Sequence, residues 1–430
     1  MVAVSVSQVA DSPQVRRQDW QIISLVGLVH AISHFFQLLL PTLFLPLAQQ
    51  FGYDFAQLGL LVSAFFLVSC LGQASSGFIV DRIGAVPVLR FGLACFVVAG
   101  VLIGSANGYG MLLAGAVLGG LGNSVFHPAD YFILNQRVSH RRLGHAFSTH
   151  GLTGYLGWAF TPVFMATLIQ LYNWRVAAYA AAGVLAMVLL LVIAGNRLLS
   201  QAQAGRQAPD ANDGPAGTHA PDLSRQSVGQ TLATLLVQPA LWGAFLFFAF
   251  VTASLSAIQN YTIPMLGNVY GIGKVLAGTA LSSYMVSAAM GLLAGGFLVG
   301  VTPRTERTVF ASLLLAALSL LVLASGVLPA WLAIVFVALT GFFSGVSAPS
   351  RDMLIRRIAP KGATGTVYGL VYSGMDVGSS MAPVVFGLML DAGWSVAPWF
   401  GAAACFAVGS VLAVAVARFA VRQEQRPAVA

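Results

Sequence analysis

Seven histidines occur in the 430 residues, and several of them stand inside apolar runs. His30, His34 and Gln37 fall at i, i+4 and i+7, which sets all three on one face of a helix. Asn123, His127 and Asp130 repeat that spacing, and His150 stands in the following apolar run ahead of Gly154, Gly157 and Pro162. Imidazole titrates near neutrality, so two rings one helical turn apart can take up a proton and release it. An ionisable side chain inside a membrane-crossing helix costs roughly 3 kcal/mol on insertion scales, and it therefore faces a bundle interior or a wet cavity. The chemistry implied is proton and solute handling within a membrane. The competing role is structural: a neutral, hydrogen-bonded pair that fixes one helix against another.

Two further stripes follow. Thr252, Ser256 and Gln259, with Asn260 beside them, share one face, as do Thr340, Ser344, Ser347 and Arg351. For the serines, threonines and asparagines, helix-to-helix hydrogen bonding worth ~0.6 kcal/mol per contact is an equal reading. Asp376 is the acid set well inside an apolar run of the second half, in line with Tyr372 and Ser380. It is a candidate proton or cation site, with an ion pair to an arginine as its rival role. His127 precedes Pro128, where a proline frees backbone carbonyls and suits a gate. Asp130 is expected to pair with Arg82, Arg137 or Arg141 in a structural latch.

The elements that must carry these residues are legible from composition. Hydrophobic residues make up 58% of the chain and charged residues 8%, with mean hydropathy +0.83. Soluble domains carry about 25% charged residues, so this composition describes a polytopic membrane protein. Eleven to twelve apolar segments of ~20 residues can be laid along it, each able to cross ~30 Å of hydrocarbon as a helix. A transmembrane barrel is excluded, because its strands alternate polar and apolar over ~10 residues. The net charge of +8 is a topology signal rather than a nucleic-acid footprint. Of the 21 Lys and Arg, all but Arg175 and Lys274 fall on one side of the spans, which sets both termini in the cytoplasm. Cys70, Cys95 and Cys405 lie within spans and read as packing residues. No cleavable signal peptide is expected, since the first apolar run is too long for one.

The spans divide six and six. Residues 1–198 form an N-terminal half, 199–236 a polar linker and 237–430 a C-terminal half. At an offset of 221 residues the second half repeats landmarks of the first: Pro128 matches Pro349, Gly144 matches Gly365, Gly157 matches Gly378 and Pro162 matches Pro383. The expected fold is all-α, with 12 transmembrane helices in two pseudo-symmetric halves, a plan that places a midplane site between halves.

Gly77-Phe-Ile-Val-Asp81-Arg82-Ile-Gly84, closed by Arg90, resembles the loop signature G-x-x-x-D-R-x-G of the major facilitator superfamily. The second half keeps a degenerate copy, Gly296-Phe-Leu-Val-Gly300, without the acid. The resemblance implies a state-dependent cytoplasmic latch of Gly77, Asp81, Arg82, Gly84 and Arg90, joined by Asp130 and Arg351. It also implies that spans one, four, seven and ten line the cavity. A narrower resemblance, through Ser124-Val125-Phe126-His127-Pro128, His30, Gln37 and Phe55-Ala56-Gln57-Leu58-Gly59, is to the fosmidomycin-resistance branch of drug exporters. Members of that branch carry an acid where this chain has His34 and a glycine where it has Thr161. The arginine that many exporters carry in span four is replaced by Ala116.

The function expected is therefore a secondary transporter moving a small organic solute by alternating access, as a proton-coupled antiporter working in export. Proton-coupled uptake of an organic acid is the alternative, and a non-transporting sensor or intramembrane enzyme belongs to another class. Against an enzyme stands the lack of HExxH, GxSxG or paired metal-ligand spacing. No phosphate-binding loop is present for direct ATP drive. Proton-coupling candidates are His30, His34, His127 and Asp376. Cavity candidates are Gln37, Asn123, His150, Thr252, Ser256, Gln259, Asn260, Thr340, Ser344 and Tyr372. No metal, cofactor or nucleic acid is expected. The partners are solute, protons and the lipid bilayer of a bacterial inner membrane, and the chain is read as a monomer.

Overall fold

The computed structural model describes residues 13–200, 236–302, 304–358 and 364–424, and among these every regular element is helical. In the first half α1 runs through Pro13–Gln37, Leu39–Thr42 and Phe44–Phe51, followed by α2 (Phe55–Ile83) and α3 (Ala85–Gly104). Helix α4 comprises Tyr109–Asn123 and Phe126–Arg137, followed by α5 (Leu143–Leu171) and α6 (Trp174–Ala194). The second half contains α7 (Pro239–Tyr270), α8 (Lys274–Val301), α9 (Thr305–Ala324), α10 (Ala330–Ile358), α11 (Thr364–Asp391) and α12 (Ala397–Glu424). Eleven of these helices, among the described residues, are long and apolar enough to cross a membrane. Helix α1 is the twelfth, its apolar run diluted by Arg16, Arg17, Asp19, His30 and His34. Residues 201–235, nearly all of the expected linker, lie outside the described residues.

Local chemistry sets the breaks. Pro41 and Pro46 have no amide hydrogen for the carbonyls of Gln37 and Thr42, and α1 is interrupted at Leu38 and Leu43. Pro128 withholds the same bond from Ser124, and α4 breaks at Ser124 and Val125. Helix α2 starts with a capping box. Asp54 accepts from Gln57 N at 2.6 Å, and Gln57 Oε1 accepts from Asp54 N at 3.2 Å. Between α2 and α3, Gly84 turns the chain at φ 87°, a left-handed value that favours glycine.

The packing follows the repeat. Helix α1 lies on α5 as α7 lies on α11; α2 lies on α4 as α8 lies on α10; α3 lies on α6 as α9 lies on α12. A Cβ on Gly157 would strike the carbonyl of Ala31, and one on the matching Gly378 would strike the carbonyl of Ala249. The landmark pair therefore does the same work twice, bringing α5 onto α1 and α11 onto α7. The halves meet through α2 with α11 and α5 with α8.

Candidate functional site

The histidines of the first half converge. Helix α1 presents His30 and His34 with ring centres 4.4 Å apart, and the second segment of α4 sets His127 edge-on to His30 at 5.2 Å. Helix α5 brings His150 into a stack on His30, at 3.5 Å and an interplanar angle of 19°. Beneath this stack lies Asp130, fully buried. Its Oδ2 sits 3.1 Å from His150 Nε2 and 3.5 Å from His30 Nδ1. His34 packs on Trp158 at 4.1 Å. Five ionisable side chains from three helices thus share one buried volume.

A polar string continues from it. Gln37 Nε2 donates to Asn123 Oδ1 at 3.0 Å, Asn123 Nδ2 donates to Ser69 Oγ at 2.8 Å, and Trp158 Nε1 donates to Gln37 Oε1 at 3.0 Å. Ser69 and Trp158 complete a network that the stripe positions alone did not identify, because their partners come from other helices.

The expected latch role of Asp130 is corrected by this geometry. Asp130 lies one turn past His127, so it shares that residue's face towards α1 and α5 and meets imidazoles rather than Arg82, Arg137 or Arg141. Arg137 instead donates to the carbonyl of Leu198 at 2.8 Å. The acid that does serve the basic loop is Asp19, fully buried, which takes Arg142 Nε at 2.8 Å and the amide of Ser139 at 3.2 Å. Its place in the polar segment before Trp20 hid it from a reading centred on the apolar runs. Of the remaining latch residues, Gly77 and Arg82 are exposed and Arg90 is half-buried. The side chain of Asp81 lies outside the described residues.

The second half is built differently. Thr252, Ser256, Gln259, Asn260 and Thr340 are buried, but several of these polar groups turn back on their own helices. Asn260 Nδ2 donates to the carbonyl of Ser256 at 2.7 Å and lies 3.1 Å from its hydroxyl. Thr340 donates to the carbonyl of Phe336 at 2.8 Å, and Ser344 to that of Gly341 at 2.8 Å, with Tyr284 OH 3.0 Å away. Arg351 was also expected in the latch. Its Nε bonds Asp352 Oδ1 at 2.9 Å and its guanidinium lies 4.9 Å from the Phe248 ring centre, while Tyr372 OH is 3.5 Å from the same carboxylate oxygen. Arg351 thus stands near Tyr372, an expected cavity residue, with its planar head on an aromatic face. Asp376 meets the thiol of Cys70, on α2 of the other half, and among the described residues it is not joined to an arginine.

At the end of the bundle opposite the termini the halves are bonded directly. The carboxylate of Asp391, ending α11, accepts from the amides of Phe55 and Ala56 at 2.8 Å each, where α2 begins. Tyr261 OH, which donates to the carbonyl of Pro383 within the second half, also lies 3.4 Å from the carbonyl of Phe55 in the first. A cavity of about 840 Å³ opens nearby, walled by Thr42, Leu45, Ile169, Ile263 and Lys274. None of the expected site residues lines it.

Twelve helices in two repeated halves and a polar interior fit a known family. The sequence matches the Major Facilitator Superfamily over residues 23–305 and 246–429. The chain belongs to that superfamily. As a superfamily member it is a multi-pass membrane transporter. It is 26% identical to the fosmidomycin resistance protein of Escherichia coli K12 over 392 residues, 90% of each chain. It is also 26% identical to a probable nitrate/nitrite transporter, NarK2, of Mycobacterium tuberculosis, over 80% of this chain and 84% of that one. Among solved structures, a bacterial homologue of the human lysosomal transporter Spinster, inward-facing and occupied, superposes with TM-score 0.71 at 15% identity. That match covers 97% of this chain and all of the other, and it concerns the fold.

Proposed function

We propose that this transporter exports a small organic solute in exchange for protons, working in a bacterial inner membrane with both termini in the cytoplasm. The observation that carries the proton reading is the cluster of His30, His34, His150 and Asp130, all buried, with the half-buried His127 at its edge. One carboxylate balances one positive charge. Two imidazolium rings 3.5 Å apart would repel by on the order of 4 kcal/mol even at an effective dielectric near 20. The group therefore carries one proton at a time. When access alternates, that proton passes between imidazole and carboxylate and leaves on the other side.

Asp376 is a second proton or cation site, at the seam between halves. The string of Gln37, Asn123, Ser69 and Trp158 faces the solute together with Thr252, Ser256, Gln259, Asn260, Thr340, Ser344 and Tyr372. Gly77, Asp81, Arg82, Gly84 and Arg90 form the cytoplasmic latch. The similarity to the fosmidomycin resistance protein supports export. The half-buried Arg351 favours a second reading, uptake of an organic anion with protons, because a guanidinium matches carboxylate and phosphonate geometry.

Flux into proteoliposomes under an imposed pH gradient, screened across phosphonates, organic acids and cationic drugs, separates these readings by direction. Export predicts solute movement against the proton flow, and uptake predicts movement with it. If no solute moves under any gradient, proton-coupled transport is wrong. His34→Ala is expected to abolish proton-driven flux and spare solute exchange at equal pH. Unchanged driven flux removes His34 from the proton path.

A further inference from the structure

We propose that His30, His34 and His127 form a binding site for one divalent transition-metal ion of the cobalt, nickel and zinc class, with Asp130 as the carboxylate behind His30. The inference goes beyond the proton reading and does not depend on it.

Three imidazoles bound to one tetrahedral ion at about 2.0–2.1 Å place their nitrogens ~3.3 Å apart and their ring centres roughly 5 Å apart. The ring centres of these three stand at 4.4, 5.2 and 6.4 Å, tilted against one another by 56°, 73° and 58° rather than stacked, an arrangement compatible with a shared ion. One donor nitrogen from each lies within 4.8 Å of the other two, so small ring rotations complete the set. His30 and His34 come from successive turns of α1, whose backbone holds them at a fixed separation.

Two further features mark the space between the rings. Gly154 of α5 lets both rings close in. A Cβ there would stand 3.0 Å from His30 Nε2 and 2.8 Å from His34 Nδ1, so the two donor atoms lie against one point of the α5 backbone where any larger residue would push them apart. His34 Nδ1 is buried and makes no well-formed hydrogen bond, with the backbone of Gly154 beside the ring, and among the described residues no hydrogen bond joins the three rings. A buried donor or acceptor left poorly answered is costly, and a bound cation relieves it.

An acid stands on the far side of His30. Its Nδ1 lies 3.5 Å from Asp130 Oδ2 without a hydrogen bond to it; a small ring rotation closes that distance, and a carboxylate bonded behind a ligating imidazole fixes its tautomer and strengthens its other nitrogen. Nitrogen donors select first-row transition ions over magnesium and calcium, which take oxygen shells. Three protein ligands leave a fourth position open. Spacing along the chain shows none of this beyond the His30–His34 pair, because the third ligand and the supporting acid come from another helix.

Full-length protein in detergent, freed of any polyhistidine tag, is titrated with Co²⁺ and followed by the visible bands of nitrogen-bound cobalt. One ion per chain is expected. His34→Gln and His127→Gln should each weaken it at least thirtyfold, and Gly154→Ala should do the same by pushing the His30 and His34 rings apart. His145→Gln, which alters an exposed ring outside the group, should leave it unchanged. Elution as a single folded species qualifies each variant. Failure of the wild type to bind Co²⁺, wild-type affinity in both His34→Gln and His127→Gln, or loss of binding only in His145→Gln overturns the site. The titration is read without transport, so its failure leaves the pH-gradient experiment standing, and the reverse holds.

Discussion

Two residues past Pro128 stands Asp130, and two past Pro349 stands Arg351, so one position of the repeated skeleton holds an acid in one half and a base in the other. Asp130 is fully buried among imidazoles from α1 and α5. Arg351 is half-buried, already paired with Asp352 and laid on Phe248. The repeat supplies the same backbone to both, and the side chains decide what each half does. The first half gathers imidazoles around a buried acid, and the second sets a guanidinium between an acid and an aromatic ring. In the proposed function protons are handled on one wall of the pathway and an anionic part of the solute on the other.

The largest effect should come from removing the acid. Asp130→Asn keeps the shape and leaves the imidazoles without their counter-charge, so proton-driven flux should fall on the order of a hundredfold, about 2.7 kcal/mol. The remaining flux should lose its dependence on pH, while solute exchange at equal pH survives. A pH profile of counterflow in proteoliposomes reads both. If Asp130→Asn and Arg351→Gln lower driven flux equally and with one pH profile, the two halves are not specialised and the comparison breaks.

Arg351→Gln should act on affinity instead. Losing one charge-assisted contact is worth on the order of tenfold in KM for an anionic solute, with the pH dependence of the rate preserved. A neutral solute should not feel it. Loss of pH dependence in this variant, with unchanged KM, would exchange the roles assigned to the two walls.

How far this contrast could be read from the chain depends on the kind of contact. Twelve spans, the two halves and the small-residue ridges were legible, because hydropathy and the recurring Gly157–Gly378 and Pro162–Pro383 pairs are properties of position along one helix. The stripe on α1 was legible for the same reason. The partner of Asp130 was not. Choosing between His150 and Arg137 requires the rotation of α4 after its break at Ser124 and Val125, which spacing does not carry. Asp19 was missed because its partners, Ser139 and Arg142, lie over a hundred residues away in sequence. Nor did the second-half stripe announce that Asn260 and Thr340 bond their own helix.

A third test concerns the seal between the halves. Asp391 accepts two amides from the start of α2, a charge-assisted contact worth about 1.5–3 kcal/mol. Asp391→Asn should therefore shift the balance towards opening at that end by about tenfold, detected as faster labelling of a cysteine placed at the buried Thr42. Proton coupling should stay intact, since neither wall is touched. An unchanged labelling rate would mean that Tyr261 and the apolar contacts hold the end closed without the carboxylate.

The smallest expected effect is the most discriminating for the second half. Thr340 is fully buried, yet its hydroxyl donates to the carbonyl of Phe336, whose own helical bond already exists. Valine has nearly the same shape, so Thr340→Val removes about 0.6 kcal/mol and should change KM and rate less than about threefold. Asn123→Leu in the first half should be costly by contrast, because Asn123 ties Gln37 of α1 to Ser69 of α2. If Thr340→Val raises KM tenfold, its hydroxyl leaves Phe336 for the solute during the cycle. The second wall would then recognise its cargo through the whole stripe rather than through Arg351.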